Sequence, residues 1–347
     1  MNHAVFRTDA SDAIGGGHVM RCLTLADELQ ARGWSCVFSC TSETVKTVRA
    51  LATSGYKIIS ADEKIDCADI LIVDHYGLDR RYEEQCRTWA KRIVVIDDLA
   101  DRPHDCNLLM DQTFGRDPND YKALVPAHCH ILTGPEHALL RPQFAAARPA
   151  SLTRRQKQSG KVDRILIMMG TSDKDNTTGL ALSALALLEK HLNIDVILGG
   201  NAPHLQAVKQ QAQESRHSVT IHTDINDVAA LMSAADLCIG AGGTASWERC
   251  CMGLPTLVIE IADNQKKIIR ELGKAKAISN AGQYRNLTPE ILATMTQDLI
   301  DNANHIAKTS AMAAEICDGK GTIKLAYEIE NLEREVNNES STTITLP

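Results

Sequence analysis

The 347 residues carry a formal net charge of −7 and a pI of about 5.9, so no basic field exists to gather nucleic acid or an anionic membrane surface. With 44% hydrophobic and 23% charged residues, the composition is that of a globular chain long enough for two domains, each with its own core. Any anionic ligand must therefore be held by local donors, not by global charge.

Taken in order, short apolar runs alternate with helical patterns, which predicts α/β units around largely parallel sheets. Residues 4–7 read as a first strand. It feeds the run Ile14-Gly15-Gly16-Gly17-His18, after which Met20, Leu23, Leu25, Ala26 and Leu29 recur at helical spacing up to Arg32-Gly33. A glycine loop opening into a helix lets a ligand approach the backbone, and the first-turn N–H groups form an anion site. Strand 35–39, helix 43–53 and strand 56–60 follow. The runs 69–74 (DILIVD) and 92–97 (RIVVID) are buried strands ending on carboxylates, with a helix over 80–90 between them, and 106–111 and 129–133 are shorter strands.

Residues 141–160 are polar and without a periodic apolar face, and within them 148–160 reads as a linker. A second series then alternates strands at 163–169, 195–198, 219–222, 236–239 and 256–261 with helices at 180–191, 204–214, 227–234, 246–252 and 265–274. Late helices follow at 289–304 and 322–333. The expected organisation is an α/β fold of two Rossmann-like domains facing across a cleft: 1–147 carrying the His18 loop, 148–160 as linker, 161–334 binding the nucleotide, and a disordered polar tail at 335–347. The second half repeats the strand, glycine loop and helix order at Gly240-Ala241-Gly242-Gly243-Thr244, before Trp247-Glu248-Arg249.

Several chemistries lack their pattern. In the dinucleotide fingerprint G-x-G-x-x-G, Met20 stands in the third glycine place, and Ser39-Cys40 occupies the acidic strand end. No Walker A loop is present. The run Asp173-Lys174-Asp175-Asn176 fails as a calcium loop, because Thr178 and Ala184 take the places of its Gly and Glu. Eleven cysteines show no framework spacing and no C-x-x-C pair. The start of the chain has no apolar signal region and no run of about 18 apolar residues occurs, so a cytoplasmic chain with reduced thiols, not bound to membrane, is expected.

The candidates for chemistry each carry two readings. His18 is a helix N-terminal histidine that steadies the loop, or a general base; an imidazole titrates near neutrality and suits proton removal from water. Asp9, Asp74, His75, Asp97, Asp98 and Asp111 lie at or just after strand ends, where a parallel sheet faces its ligand and where turns also favour Asp. Arg7 and Arg21 have carboxylates or phosphate as partners. Ser172 lies in the loop Gly170-Thr171-Ser172-Asp173. Glu248 takes both hydroxyls of a ribose, or is a first-turn Glu favoured by the helix dipole. Asp263 and Asn264 bind ligand or cap a helix, and Trp247 is read as packing.

Phe6-Arg7-Thr8-Asp9-Ala10-Ser11 with the Gly15–His18 loop, Val73-Asp74-His75-Tyr76-Gly77-Leu78-Asp79, Ile96-Asp97-Asp98-Leu99-Ala100-Asp101-Arg102-Pro103-His104, Asp111-Gln112, the run 240–249 and Ala262-Asp263-Asn264-Gln265 together resemble the UDP-2,4-diacetamido-2,4,6-trideoxy-β-L-altropyranose hydrolases over residues 4–330. The match departs at Thr171, where that family usually has Gly. The resemblance implies a glycosyltransferase B-type fold and release of UDP from the altrose derivative in pseudaminic acid synthesis. It places the base at His18, a substrate contact at Asn264, and uridine and ribose at Gly242, Gly243, Thr244 and Glu248. With the readings above, the expected substrate-binding set is Asp9, Gly16, Gly17, Arg21, Tyr76, Asp98, Ser172, Gly242, Gly243, Thr244, Glu248 and Asn264. UDP is a weakly basic leaving group, so one base and diphosphate stabilisation suffice for inverting attack by water. No metal or cofactor is expected, the partner is the UDP-sugar alone, and the chain is read as a monomer. An inverting glycosyltransferase and an inert UDP-sugar-binding protein are the alternatives.

Overall fold

The computed structural model describes residues 1–11 and 15–342, with side chains as far as 333; Ile14 at the head of the glycine motif and residues 343–347 lie outside the described residues. The chain forms two units, Met1–Leu140 with Lys320–Pro347, and Arg141–Gly319. Among the described residues no helix is long and apolar enough to cross a membrane.

The first unit holds strands β1 (His3–Thr8), β2 (Ser35–Cys40), β3 (Lys57–Ser60), β4 (Ala68–Asp74), β5 (Ala90–Ile96), β6 (Leu108–Asp111) and β7 (His130–Thr133), with helices α1 (Gly17–Ala31), α2 (Ser42–Thr47), α3 (Arg49–Ala52) and α4 (Arg80–Cys86). They form one parallel sheet in the order β3-β2-β1-β4-β5-β6-β7. The strands read as continuous apolar runs because both faces are covered. On one face Phe6 and Phe38 stack with ring centroids 5.0 Å apart, under Leu25 and Leu29 of α1. On the other, Val5, Leu71 and Val73 meet Tyr121. Each such Leu, Val or Phe contributes about 1.5–3 kcal/mol by its burial. The strand order reverses between β1 and β4, which marks the ends of these two strands as the ligand-facing crevice of this sheet.

The second unit contains α5 (Pro142–Gln158), β8 (Arg164–Met168), α6 (Thr177–Ala186), β9 (Asn193–Leu198), α7 (Leu205–Gln213), β10 (Ser218–Thr223), α8 (Val228–Ala234), β11 (Leu237–Ala241), α9 (Ala245–Cys251), β12 (Thr256–Glu260), α10 (Lys266–Lys274), β13 (Ser279–Gln283), α11 (Pro289–Asp301) and α12 (Ala303–Ile316). Its parallel sheet runs β10-β9-β8-β11-β12-β13, so its reversal lies between β8 and β11.

The expected linker 148–160 is instead most of helix α5. The helix escaped the sequence pattern because polar side chains do much of its packing. Arg155 donates to the carbonyls of Met232 (2.6 Å), Ala235 (2.9 Å) and Met252 (2.8 Å), and Ser151 Oγ donates to Met252 O at 2.8 Å. Arg148 binds the carbonyls of Cys251, Ala314 and Cys317 in the same way. The helix thus belongs to the second unit, and the boundary moves from 147 to 140.

The end of the chain is also corrected. Helix α13 (Gly321–Thr342) joins the first unit, where Leu325, Ala326 and Ile329 enter the core with Leu29. Its backbone runs helically through most of the expected disordered tail 335–347, of which 343–347 lie outside the described residues. The helix expected over 43–53 breaks at Val48 (φ −114°, ψ 88°). Strand β13 and helix α12 were not anticipated, since Ile306, Thr309, Ser310 and Ala313 make a buried face with a single large apolar side chain.

Candidate active site

At the reversal of the first sheet, Asp74 is the last residue of β4, in register with Thr8 at the end of β1. Helix α1 begins nearby, and its positions 18, 21 and 22 share one face by the i, i+3, i+4 rule. That face closes over the carboxylate. Arg21 donates from Nε to Asp74 Oδ2 and from Nη2 to Oδ1, both at 2.6 Å. His18 Nδ1 lies 2.5 Å from Oδ1, and the Cys22 thiol donates to Oδ2 at 3.5 Å. Asp74 has no exposure, Arg21 is 4% exposed and His18 7%. Burial alone would raise the Asp74 carboxyl; Arg21, and after it His18, outweigh burial and hold it well below the usual carboxylate range.

A carboxylate only accepts hydrogen bonds. Arg21 Nη2 also lies 3.2 Å from His18 Nδ1, but the shorter contact is to the carboxylate oxygen, so in the neutral ring the proton sits on Nδ1, toward Asp74, and Nε2 is the acceptor. The Tyr76 ring meets it edge-on, with centroids 4.4 Å apart and planes at 87°. Gly16 precedes the first turn of α1, which has neither a side-chain cap nor an acidic residue among the described residues. A Cβ at Gly16 would lie 3.1 Å from Val48 Cγ2, so the loop backbone rests on the residue that breaks the α2–α3 stretch. The outcome is a buried imidazole at the positive end of a helix.

Asp98 completes this cluster. Arg21 Nη1 donates to its two oxygens at 2.8 and 3.1 Å, so one guanidinium holds both carboxylates. Burial raises the Asp98 carboxyl above its ordinary range and the charge of Asp111 adds to this, against the pull of Arg21. The Asp98 carbonyl accepts from Arg116 Nη2 at 2.7 Å, and Arg116 Nε also grips Asp111. Tyr121 Oη reaches Asp97 Oδ2 and Asp111 Oδ2, each at 2.9 Å. Asp97 and Asp111 are thus braces of the strand ends. Asp9 faces inward too, with its oxygens against Arg7, Thr41 N, Thr44 and His75.

In the second unit the residues after β11 form the other glycine loop. A Cβ at Gly242 would lie 2.5 Å from Ile269 Cγ1, so only glycine fits beneath α10. Gln265 joins this loop to the end of β12: its Oε1 accepts from Gly242 N at 3.2 Å and from Ile261 N at 3.1 Å. Arg249 is buried behind the loop and donates from Nη2 to Ala241 O at 2.7 Å and to Ser246 Oγ at 2.9 Å. Thr244 is exposed and Gly243 half-buried. Glu248, in the first turn of α9, has Arg141 Nη2 3.6 Å from its Oε1. Burial lifts its carboxyl above the usual range, with Arg141 opposing the rise. Asn264 is exposed on the turn Asp263–Gln265, one residue from the Gln265 bridge.

After β8, Ser172 is half-buried beside Asp173, whose oxygens accept from Thr177 N (2.9 Å) and Thr178 N (2.8 Å). The first turn of α6 is therefore already supplied with an anion. Trp247 is buried, as packing requires.

The structure thus brings His18, Arg21, Tyr76 and Asp98 together with Gly16 and Gly17 in one unit, and Gly242, Gly243, Thr244, Glu248 and Asn264 around one pair of loops in the other. Sequence reasoning left Asp74 among several equivalent strand-end carboxylates and did not single out Gln265 or Arg141. Spacing on the helix was the available signal, since His18 and Arg21, three residues apart, share one face and so can meet one partner.

The description "Glycosyltransferase family 28 C-terminal domain" belongs to the family model that matches residues 164–323. The uncharacterized protein MJ1062 of Methanocaldococcus jannaschii is 24% identical over 264 residues, 73% of this chain and 54% of that relative. The chain therefore spans about half of that relative's length. A protein of Campylobacter jejuni named UDP-2,4-diacetamido-2,4,6-trideoxy-β-L-altropyranose hydrolase is 27% identical over 240 residues, 67% of this chain and 82% of the relative. Among solved structures, Acinetobacter baumannii MurG matches with a TM-score of 0.69 at 17% identity, covering 95% of this chain and 100% of its own. The fold is that of the glycosyltransferase B-type proteins, built from two Rossmann-like α/β domains.

Proposed function

We propose that the protein is a hydrolase that releases UDP from UDP-2,4-diacetamido-2,4,6-trideoxy-β-L-altropyranose, a step of pseudaminic acid biosynthesis. The observation that carries this reading is the His18–Asp74 pair, a buried imidazole held by Nδ1 with Nε2 left to accept a proton. In the proposed step a water oxygen bonds to the anomeric carbon as the bond from that carbon to the diphosphate oxygen breaks. The water proton passes to His18 Nε2, and the electron pair of the broken bond leaves on UDP. Attack from the face opposite the leaving group inverts the configuration. The amides of Gly16, Gly17 and the first turn of α1 supply the donors for the departing charge.

The reading assigns the nucleoside to the second unit: Gly242, Gly243, Thr244 and Glu248 for uridine and its ribose, with Glu248 on the paired ribose hydroxyls, and Ser172 as a further polar contact. Asn264, Tyr76 and Asp98 are assigned to the sugar. The name of the Campylobacter jejuni relative supports the substrate.

The match to a glycosyltransferase family model favours a second reading, an inverting transferase in which an acceptor hydroxyl replaces water. One experiment separates them. The UDP-sugar is supplied with no acceptor while UDP and the anomeric proton signals are followed by NMR. The hydrolase gives UDP and a hexose of inverted anomeric configuration, and His18→Ala abolishes it. Negligible UDP release without acceptor overturns the hydrolase in favour of the transferase. Tight binding with no turnover under either condition identifies an inert binding protein.

A further inference from the structure

Tyr76 stands on the short turn after β4, and what fixes that turn lies outside the cluster around Asp74. Within the turn, His75 Nδ1 accepts from Gly77 N at 2.9 Å. An accepting nitrogen carries no proton, so in the neutral ring the hydrogen is on Nε2. That nitrogen lies 3.3 Å from Asp9 Oδ2, a pure acceptor. The imidazole thus accepts from its own turn and turns its Nε2 edge toward the Asp9 carboxylate. Gly77 sits directly against it, since a Cβ there would come within 3.1 Å of His75 Cε1.

Asp9 is itself anchored on three other sides. Arg7 Nη2 donates to Oδ2 at 2.8 Å, Thr41 N to Oδ1 at 2.8 Å, and Thr44 Oγ1 to Oδ1 at 3.1 Å. From the far side of the turn, Arg102 donates to the carbonyls of His75 (3.0 Å) and Leu78 (2.8 Å). The residue between these fixed points, Tyr76, is the one that meets the His18 ring.

We infer that Asp9 and His75 are positioning residues which hold Tyr76 edge-on against His18, so that the imidazole keeps a single ring orientation with Nε2 presented. This rests on the reading of His18 as the base. It also gives Asp9 a different task from the substrate contact expected of it. Asp74 and Arg21 hold His18 at Nδ1, and the perpendicular Tyr76 ring adds a packing contact to the imidazole that these polar groups do not supply.

The test follows His18 and turnover separately. In protein with ring-labelled histidine, the His18 proton signals of the wild type carry the ring-current shift of Tyr76, and Tyr76→Leu defines the value without it. The expected result is that His75→Leu and Asp9→Asn both move the His18 signals to the Tyr76→Leu position. UDP release from the same UDP-sugar then falls about 10²-fold in kcat, the scale of a misplaced catalytic group, with KM changed less than about threefold. His75→Asn keeps an acceptor where Nδ1 was and retains part of the shift and of kcat. Wild-type His18 signals in both His75→Leu and Asp9→Asn overturn the inference, as do displaced signals with an unchanged kcat. His18→Ala, run alongside, tests the base itself. Full UDP release by that variant removes the base reading and with it the catalytic sense of the inference, while the signals still report whether Asp9 and His75 hold the turn.

Discussion

Asp74→Asn keeps the shape of the side chain and removes its charge. In the wild type this fully buried carboxylate accepts from Arg21 twice, from His18 and from Cys22. Neutralising one partner of a buried ion pair costs about 3–5 kcal/mol, because the remaining charge is left uncompensated. Arg21 keeps Asp98 on Nη1 at 2.8 Å, which places the loss at the lower end, about 3 kcal/mol. For a unit of this size each kcal/mol is about 2–4 °C, so the melting temperature falls by about 6–12 °C. The pH dependence has a definite sign. The folded Asp74 carboxyl titrates below its unfolded value of about 3.9, so its stabilisation is complete above that value and fades as the pH falls through the lowered folded value. The part of the stability gap that comes from Asp74's own titration is therefore complete above about pH 4 and closes below it. On the proposed reading of His18 as the base, loss of the fixed Nδ1 proton also weakens general-base catalysis, and UDP release drops by about 10²–10⁴. Denaturant titrations across pH and acceptor-free UDP release measure both. A variant as stable as the wild type at pH 7, or a gap that fails to close below about pH 4, refutes the electrostatic account; wild-type turnover refutes the assignment of His18.

Glu248→Gln tests the ribose contact. A hydrogen bond to a charged group contributes about 1.5–3 kcal/mol, so UDP binding by calorimetry weakens about 10- to 150-fold. The 2′-deoxy analogue of UDP changes much less, and equal losses for both nucleotides count against the contact. Gly242→Ala drives a methyl to 2.5 Å from Ile269 Cγ1 and costs about 1–3 kcal/mol in thermal unfolding; an unchanged melting temperature shows that α10 yields instead. Gln265→Leu leaves Gly242 N and Ile261 N without their shared acceptor. Each stranded donor costs about 1–3 kcal/mol, and UDP affinity falls with the stability, whereas loss of stability with full affinity separates the Gln265 bridge from the nucleotide loop.

The alternation of strands and helices was legible because both sheets are parallel and covered on both faces, so runs such as 69–74 and 92–97 are apolar from end to end. What escaped reading were the elements that bury polar or small side chains. Helix α5 carries Arg148, Ser151 and Arg155 into contact with carbonyl groups, and a hydrophobic periodicity cannot register an arginine that packs by donating hydrogen bonds. Helix α12 buries Thr309, Ser310 and Ala313, which score as neutral in the same pattern. The membership of α13 was invisible for another reason. Its apolar face announces a partner but not which of the two cores receives it, and only the fold sends Leu325 and Ile329 back to the first unit.

The site shows the same division between local and distant information. The glycine loop, His18 and Arg21 form a local pattern, because a loop and the first turn of a helix are contiguous in the chain. Asp74 is 56 residues from His18, and nothing in its own surroundings distinguishes it from Asp97 or Asp111, which also end strands. What distinguishes it is the sheet order, since β4 pairs with β1 and β5 does not. A carboxylate at the end of β4 therefore lies under α1, while Asp97 and Asp111 are drawn one and two strands away into the grip of Tyr121, Arg102 and Arg116. Asp9 illustrates the converse. It lies just beyond β1, nearest in sequence to the glycine loop, and its oxygens are nevertheless turned toward Arg7, Thr41, Thr44 and His75. Its place at a strand end reads as a ligand contact, whereas, on the inference drawn from its partners and the neighbouring His75, it holds the turn on which Tyr76 stands.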